Sequence, residues 1–592
     1  MLFEEVAGYY SRLEETSSRL AMIDILTEMF QKAKKSEIKN IIYMTIGSPA
    51  PPFQSVDLGI AEKLAEDAIA TASGAEKQKV DASFKKTGDL GLTAEQFVKE
   101  SKLRRMSSEK YEINDVLETM LKIARTNGEG SKDAKIKMLA SLLASSTPLE
   151  ARYITRFALG QLRLGAGDAT IIEALSKAAT GDREFKPKLD EAYNICSDLG
   201  LVGETLMKDG KKGIEEFKVT LFNPIRPALA ERLPTAEEIL ERMRGRCAVE
   251  SKYDGLREQV HIDRKAKRVE IFSRRLERLT EMFPEIKTAA LKEVNADKVI
   301  LEGEAIAYDE ATDQFRAFQE TIQRKRKHGV KEMSEEMPLH LFAFDLLYLD
   351  GESYLNRKYS ERREALERIV KGDGTIRLSD REVVTKPKEM ERYFETAIEN
   401  GLEGIVAKDL DAPYIAGARK FSWIKMKRSY KGELSDTVDL VAVGYYRGRG
   451  VRTEFGFGGM LAAVYNDKTD MFETITRIGT GFTEENMKAF KKLFEKIKAA
   501  KKPARVSSMV EPDYWIEPRY VVTVRADEIT KSPMHTAGRH REGEEEIGYA
   551  LRFPRIVSNG VREDKSAEEA TTTKEIVEMF KQQRKTKLSD SA

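Results

Sequence analysis

The 592-residue sequence predicts a chain of three successive parts: an all-α region, an α+β core and a small β-barrel. Three observations lead there. Over the first 215 or so residues, apolar side chains recur at three- and four-residue spacing. After a proline-marked stretch, FNPIRPALAERLP (222–234), strands of period two are mixed with helices. From about residue 430 helical periodicity retreats and leaves strands joined by glycine-rich turns. A chain of this length also exceeds what one hydrophobic core serves, which points to about three or four units of domain size.

The helical part opens with Leu2, Val6, Tyr9, Tyr10 and Leu13 on one face, followed by Leu20, Ile23, Leu26 and Phe30. Its connections are short and carry glycine, as in NGEGS (127–131) and RLGAGD (163–168), where Asp168 is placed to cap the helix through Ile171, Ile172 and Leu175. Helix N-termini of this kind present free amides that suit phosphates. Residues 222–234 read as an interdomain linker, giving parts 1–218, 219–429 and 430–592. In the last part VDLVAVGYY (438–446), GGMLAAVYN (458–466) and RYVVTVRAD (519–527) are strands, and a helix lies near 484–498. Roughly five strands and one helix fit a partly open Greek-key barrel of the oligonucleotide-binding kind.

Composition narrows the class. With 41% hydrophobic and 34% charged residues the chain has a core to bury along its length, and only the last dozen residues read as disordered. There is no run of 18 apolar residues, and the N-terminus is charged and periodic where a signal peptide would be apolar. A soluble, cytoplasmic, monomeric protein with no membrane contact is expected, nucleoid-associated if its source is a prokaryote. The two cysteines, Cys196 and Cys247, exclude a four-thiolate zinc ribbon and argue against a disulfide framework, and reduced core thiols are expected. High charge with few cysteines leans toward a thermophile. The net charge of +1 gives no global attraction to nucleic acid. Locally, Lys252 to Arg278 holds nine Lys or Arg against five Asp or Glu, and Arg324, Lys325, Arg326 and Lys327 are consecutive.

The chemistry-bearing pattern begins in CAVESKYDGLREQVHID (247–263), which sets Lys252, Asp254, Gly255 and Arg257 at a strand end. Lys-x-Asp-Gly arises by chance in roughly one chain in five of this length, and Arg at the next fixed position lowers that to roughly one in sixty. A lysine amine attacks phosphorus only when neutral, so cations and burial are expected to lower its pKa, with Arg257 and a metal ion as candidates. In KVILEGEAIAYD (298–309) alternation puts Val299, Leu301 and Ala305 on one face and Glu302 and Glu304 on the other, a pair that suits a ribose and a metal. LHLFAFDLLYLDG (339–351) aligns Phe342, Phe344 and Leu346, and Phe344 offers a flat wall for a base. LEGIVAKD (402–409) presents Glu403 at a strand start as a second metal ligand. FSWIKMKRS (421–429) sends Ile424 and Met426 inward and Lys425 and Lys427 to the opposite face, where a polyphosphate fits.

KYDGLR (252–257), FSRR (272–275), LEGEAIAYD (301–309), FDLLYLDG (344–351), EGIVAK (403–408), WIKMKR (423–428) and VREDK (561–565) stand in the order of the nucleotidyltransferase motifs. Together they resemble the replicative ATP-dependent DNA ligases of archaea and eukaryotes. YMTIGSPAPPFQSVDLGIAEKL (43–64) and ITRFALGQLRLGAGDATIIEALSKA (154–178) look like that family's DNA-binding domain, so the resemblance covers nearly the whole chain. It implies an all-α DNA-binding domain, an α+β nucleotidyltransferase (adenylation) domain and a C-terminal OB-fold barrel.

The resemblance further implies ATP and Mg2+ as cofactors and nicked double-stranded DNA as partner. By it, Lys252 forms the phosphoamide with AMP, Glu250 meets the adenine amino group and Phe344 stacks on the base. Arg257 and Arg274 contact the nucleotide and the nick phosphate. Glu302 or Glu304 takes the ribose, and Glu304 and Glu403 take magnesium. Arg419, Lys425 and Lys427 hold phosphates, and Arg562 and Lys565 orient the departing pyrophosphate. Some archaeal members carry a clamp-binding element with a glutamine and two phenylalanines. KLRRMSSEKYEI (102–113) contains none, which puts a sliding-clamp partner in doubt. Two alternatives stand beside this reading. An mRNA-capping guanylyltransferase leaves the helical region unexplained, and a non-catalytic DNA-binding scaffold leaves the complete nucleophile and carboxylates unexplained.

Overall fold

A computed structural model of the chain describes residues 1–101, 110–309, 314–315, 321–326, 329–399, 402–427, 437–448, 455–526, 528–542, 545–552, 554–557 and 560–589. Lys327, Arg428, Ser429, Asp527 and most of the stretch 102–113 lie outside the described residues.

Twelve described α-helices, from Phe3–Glu15 to Leu199–Glu215, make the first part. Val6, Tyr10 and Leu13 are fully buried, as the spacing predicts, and join Ile23, Leu26 and Phe30 in one core; Leu2 stands at the N-cap, half-buried, and Phe3 takes the buried place instead. Leu20 departs from the pattern and is 58% exposed. Ser18 caps the helix Arg19–Lys32, so Leu20 falls in its first turn, before the buried stripe begins. Asp168 is not the cap of its helix: Gly167 occupies that place without a side-chain bond. The Asp168 carboxylate accepts instead from Tyr193 Oη at 2.7 Å and Arg226 Nη1 at 3.3 Å, tying the helices to the following segment.

That segment, read as a linker, is packed into the second part. Pro224 and Pro227 remove two backbone donors, and neighbouring groups bond to side chains of the adjacent sheet. Ile225 is fully buried, with its N–H donating to Gln259 Oε1 at 2.7 Å and its carbonyl accepting from Gln259 Nε2 at 3.0 Å. Phe222 N–H donates to His261 Nδ1, whose ring is buried and whose pKa burial pushes down to about 3. Residues Leu229–Arg232 then pair in parallel with Arg419–Lys427.

Two sheets build the second part. In one, the order is Leu229–Arg232, Arg419–Lys427, Gly404–Lys408, Cys247–Lys252 and Arg381–Val384. The other runs Arg268–Ser273, Leu256–Asp263, Lys298–Asp309, Leu339–Leu349 and Glu352–Ser353, with Gln314–Phe315 and Ile376–Leu378 paired off this path. Val299, Leu301 and Ala305 face one core as alternation predicts. Leu346 shares that core, whereas Phe342 and Phe344 point elsewhere. Register shifts at Ile300/Leu301 and Glu302/Gly303 break the expected alignment of the three.

The third part has more elements than the five strands and one helix expected. Its larger sheet is built on Val438–Tyr446, Gly459–Asn466 and Met471–Ile478, with the helix Glu484–Glu495 beside it. A second sheet joins Glu528–Ser532, Glu545–Arg552 and Ala537–Glu542. The helix Thr573–Ser589 runs into the stretch expected to be disordered. Its first turn reaches back to the second part through Lys574 and Glu231, 3.0 Å apart. Cys196 and Cys247 are buried free thiols, and no described helix is long and apolar enough to cross a membrane.

One buried ion pair holds the core to its flanking helix. Arg362, on Tyr359–Ile369, donates to Asp345 at 2.7 and 3.0 Å and to the carbonyls of Arg357 and Ala412, with both charged side chains fully buried. Removing one partner strands the other charge, which costs about 3–5 kcal/mol. Asp345→Ala should therefore lower the urea midpoint of the unfolding transition, and adding Arg362→Leu should recover much of the loss. A single variant as stable as the parent would show that the pair is dispensable.

Candidate active site

The two sheets of the second part and one edge of the barrel enclose a cavity of about 250 Å³. Alternation along Cys247–Lys252 sends Glu250 and Lys252 to its wall, and the strand ends at the lysine. The next turn requires Gly255, because a Cβ there would lie 2.4 Å from the Ala305 carbonyl oxygen. That close approach brings Glu304 and Arg257 alongside Lys252, from strands paired Arg257 to Glu304. Val406 and Lys408, like Trp423, Lys425 and Lys427, project from the two strands beside Lys252. The opposing sheet supplies Phe344.

Lys252 is ion-paired with Glu403, whose other oxygen lies 3.3 Å from Lys427 Nζ. Burial pushes the Lys252 amine down, but Glu403, backed by Glu304 and Asp254, outweighs it and holds the ammonium above its ordinary value. The expected lowering is thus reversed in this state. Burial opposes ionisation of Glu403 as well, yet Lys252 and Lys427 hold it well below the usual carboxylate range. Glu304 has no comparable partner, and burial pushes it up to about 7. Arg257 is engaged away from Lys252, donating to Glu302 at 2.8 Å and to the Ala228 carbonyl at 2.7 Å.

Glu302 is the sequence-predicted residue that the fold does not bring to the cavity. It shares a face with Glu304, but Arg257, Tyr414 Oη at 2.8 Å and Gln259 Nε2 at 3.4 Å enclose it. Glu250 lies in the wall, ion-paired with Lys408 at 2.9 Å and accepting from Tyr359 and Ser379. The Lys408 ammonium sits 4.8 Å from the Phe344 ring centre and 4.4 Å from that of Trp423. Both Lys408 and Trp423 were missed, although alternation with Val406 and with Lys425 and Lys427 carries them to the cavity.

Arg419 and Lys425 converge on Glu575 of the C-terminal helix, Lys425 at 3.4 Å. Burial, with Arg419, Lys427 and Lys565 nearby, pushes the Lys425 amine down to about 7 against the pull of Glu575. Arg274 pairs with Glu569 at 2.8 Å. Arg562 and Lys565 reach the same cavity from the barrel, where they meet Asp564 and Asp439. Neither Glu575 nor Asp439 was singled out from sequence. Among the described residues no group of three or more His, Cys, Asp or Glu side chains is arranged to hold a metal.

A cavity with a lysine at a strand end, an aromatic wall and two banks of cations is what the ordered motifs lead one to expect. Comparison with known proteins agrees along the chain. The families described as DNA ligase N terminus, ATP dependent DNA ligase domain and ATP dependent DNA ligase C terminal region match residues 2–176, 227–427 and 453–565. A probable DNA ligase of Dictyoglomus thermophilum is 47% identical, the match covering 100% of both chains. DNA ligase 2 of Korarchaeum cryptofilum is 40% identical over 99% of this chain and 98% of its own. A DNA ligase of Sulfurisphaera tokodaii is 40% identical over 98% of each. The chain belongs to the ATP-dependent DNA ligases.

Proposed function

We propose that Lys252 is the residue on which this ligase carries AMP, and that the AMP then passes to a 5′-phosphate at a nick in duplex DNA. The observation that carries the reading is the ion-paired Lys252 ammonium at the centre of a cavity walled by Phe344 and flanked by Arg419, Lys425 and Lys427. In the first step the Lys252 amine bonds to the α-phosphorus of ATP, the bond to the β-phosphate oxygen breaks, and pyrophosphate leaves. AMP next moves to the 5′-phosphate, and the neighbouring 3′-hydroxyl displaces it as the strand is joined. Positioning and charge neutralisation supply most of the rate in such transfers.

Glu250 and Lys408 would meet the base edge and Phe344 its face. Arg419, Lys425 and Lys427 would take the phosphates, and Arg274 the nick phosphate. Of the two carboxylates on one strand, Glu304 faces the nucleotide, while Glu302 acts through Arg257. Two carboxylates shared with substrate phosphates are a usual magnesium donor set, and Glu304 with Glu403 fits it. Magnesium held there would supply positive charge to the phosphates and to both carboxylates. The Lys252 proton has to leave before attack, so loosening the Glu403 ion pair is a condition of the first step. Once freed of it, burial favours the neutral amine.

Lys252→Ala should abolish covalent labelling by ATP while binding of a nicked duplex stays measurable. Labelling at the parent level on a denaturing gel would remove Lys252 from this role. The helical part would grip DNA without entering the first step, since no nucleotide motif precedes Glu250. A chain starting near residue 218 retains Ile225 and Ala228 and their core, so it should still label. It should seal nicks far more poorly, with a shallower salt dependence of DNA binding. Full sealing by that fragment at moderate salt would end this division of labour.

Arg562 and Lys565 would meet charge that develops on pyrophosphate, which exists in the first step alone. Losing one positioned donor commonly costs on the order of a hundredfold or more in rate. Replacing both with Ala should cripple labelling of Lys252, while joining of a nick already bearing 5′-AMP stays within several-fold of the parent. Single-turnover rates with ATP, and with the pre-adenylylated nick without ATP, decide it. Equal losses would assign these residues to DNA binding or barrel stability.

A further inference from the structure

We propose that Asp439, at the start of the first barrel strand and outside every nucleotide motif, is the positioning residue that aims Lys565 into the cavity and, with Asp564, holds Arg562 beside it. The inference rests on the reading of those two cations as partners of the departing pyrophosphate.

The segment that carries the cations has no helix or strand of its own from Gly560 to Lys565. Its side chains therefore take their direction from what they touch. Arg562 is fixed at the backbone, its N–H donating to the Val521 carbonyl at 2.7 Å, and its guanidinium is forked onto Asp564 at 2.7 Å. Lys565 has a long, flexible stem, and its ammonium ends on Asp439 Oδ2. The other oxygen, Oδ1, lies 3.7 Å from Arg562 Nη1 and accepts from Thr523 Oγ1 at 2.8 Å. Thr523 is the direct cross-strand partner of Asp439, so the carboxylate is held from the neighbouring strand. The Asp439 main chain is fixed as well: its N–H donates to Thr571 Oγ1 at 3.0 Å and its carbonyl accepts from Thr571 N–H at 2.8 Å. One aspartate thus touches both ends of the cation pair and is itself locked on two sides.

Charge explains why a carboxylate is needed there. Lys565 and Arg562 enter a cavity that already holds Arg419, Lys425 and Lys427. Like charges in one enclosure repel, and a lysine without a local anion would swing away toward water. Burial pushes the Asp439 carboxyl up, but Lys565 and Arg562 overcome it and keep the group ionised. Asp439 borders the same cavity, so Lys565 can be gripped by the carboxylate and still present donors to a phosphate.

The test is a mutant cycle read at two steps. Asp439→Asn keeps size and shape and removes the charge. It should slow single-turnover labelling of Lys252 by ATP on the order of tenfold or more. It should also raise the pyrophosphate concentration needed to strip AMP from the labelled enzyme. Joining of a pre-adenylylated nick should change by no more than several-fold, and Asp439→Glu should retain more of the labelling rate than Asn. In a background of Arg562→Ala with Lys565→Ala, Asp439→Asn should cost nothing further. Equal losses at both steps, or a full additional loss in that background, would make Asp439 a structural tie of the barrel and overturn the proposal. If the Arg562→Ala, Lys565→Ala pair itself spares labelling, the pyrophosphate reading falls and takes this inference with it. If the pair loses labelling and Asp439→Asn does not, this inference alone falls.

Discussion

A cavity lined by this many cations has to have their charge balanced from within the protein, and that constraint governs the rest of the molecule. Each major cation of the site is matched by a carboxylate: Lys252 and Lys427 by Glu403, Arg419 and Lys425 by Glu575, Lys565 by Asp439, Arg562 by Asp564, and Arg274 by Glu569. An uncompensated buried charge costs several kcal/mol, so these anions are a condition of having the cations there. Four of them, Asp439, Asp564, Glu569 and Glu575, belong to the barrel part. Closing the barrel on the core is therefore an electrostatic event, and Glu569 and Glu575 pair directly with arginines of the core.

The barrel also packs against the helical part. Loop RLGAGD of the helical part lies under the barrel: a Cβ on Gly165 would come within 3.0 Å of Ala504, and Arg505 packs over Gly167. Lys501 donates to the Glu14 carbonyl at 2.8 Å, and Thr170 Oγ1 lies 3.4 Å from Asp470. On the proposed reading, strand joining needs room for a duplex, so the barrel would have to leave both the loop and the cavity mouth. The contacts with the helical part are hydrogen bonds and close packing, and those with the core are mainly ion pairs, so such opening need not expose a hydrophobic core.

Much of the site was legible wherever a strand keeps strict alternation. Lys425 and Lys427, opposite Ile424 and Met426, fall where period two sets them, and Glu304 follows the same rule. What escaped has identifiable physical causes. Bulges beside Leu301 and Gly303 turned Leu346 away from Phe344. Side-chain capture by Arg257 and Tyr414 withdrew Glu302 from a face it shares with Glu304, a distinction that spacing does not contain. Three prolines in 222–234 suggest a linker where Gln259 and His261 in fact seize the backbone. Asp439 and Glu575 lie 187 and 323 residues beyond Lys252 in the chain, so no local pattern marks them.

The state of Lys252 carries the deepest of these differences. The motif around it leads one to expect cations that lower its pKa, whereas the folded cavity sets anions closest to it. Two opposing influences meet at this amine: burial, which favours the neutral form, and Glu403 with Glu304 and Asp254, which favour the charged one. The anions win. Because Glu403 also bonds Lys427, its charge is shared between two ammonium groups, and Glu304 is already pushed up to about 7 by its surroundings. Any substrate that brings compensating positive charge to these carboxylates removes the influence that keeps Lys252 protonated and leaves burial in command. A nucleophile at this position would be stored in an unreactive form, its activation coupled to neutralising those anions. A lysine held neutral at rest would lack that coupling.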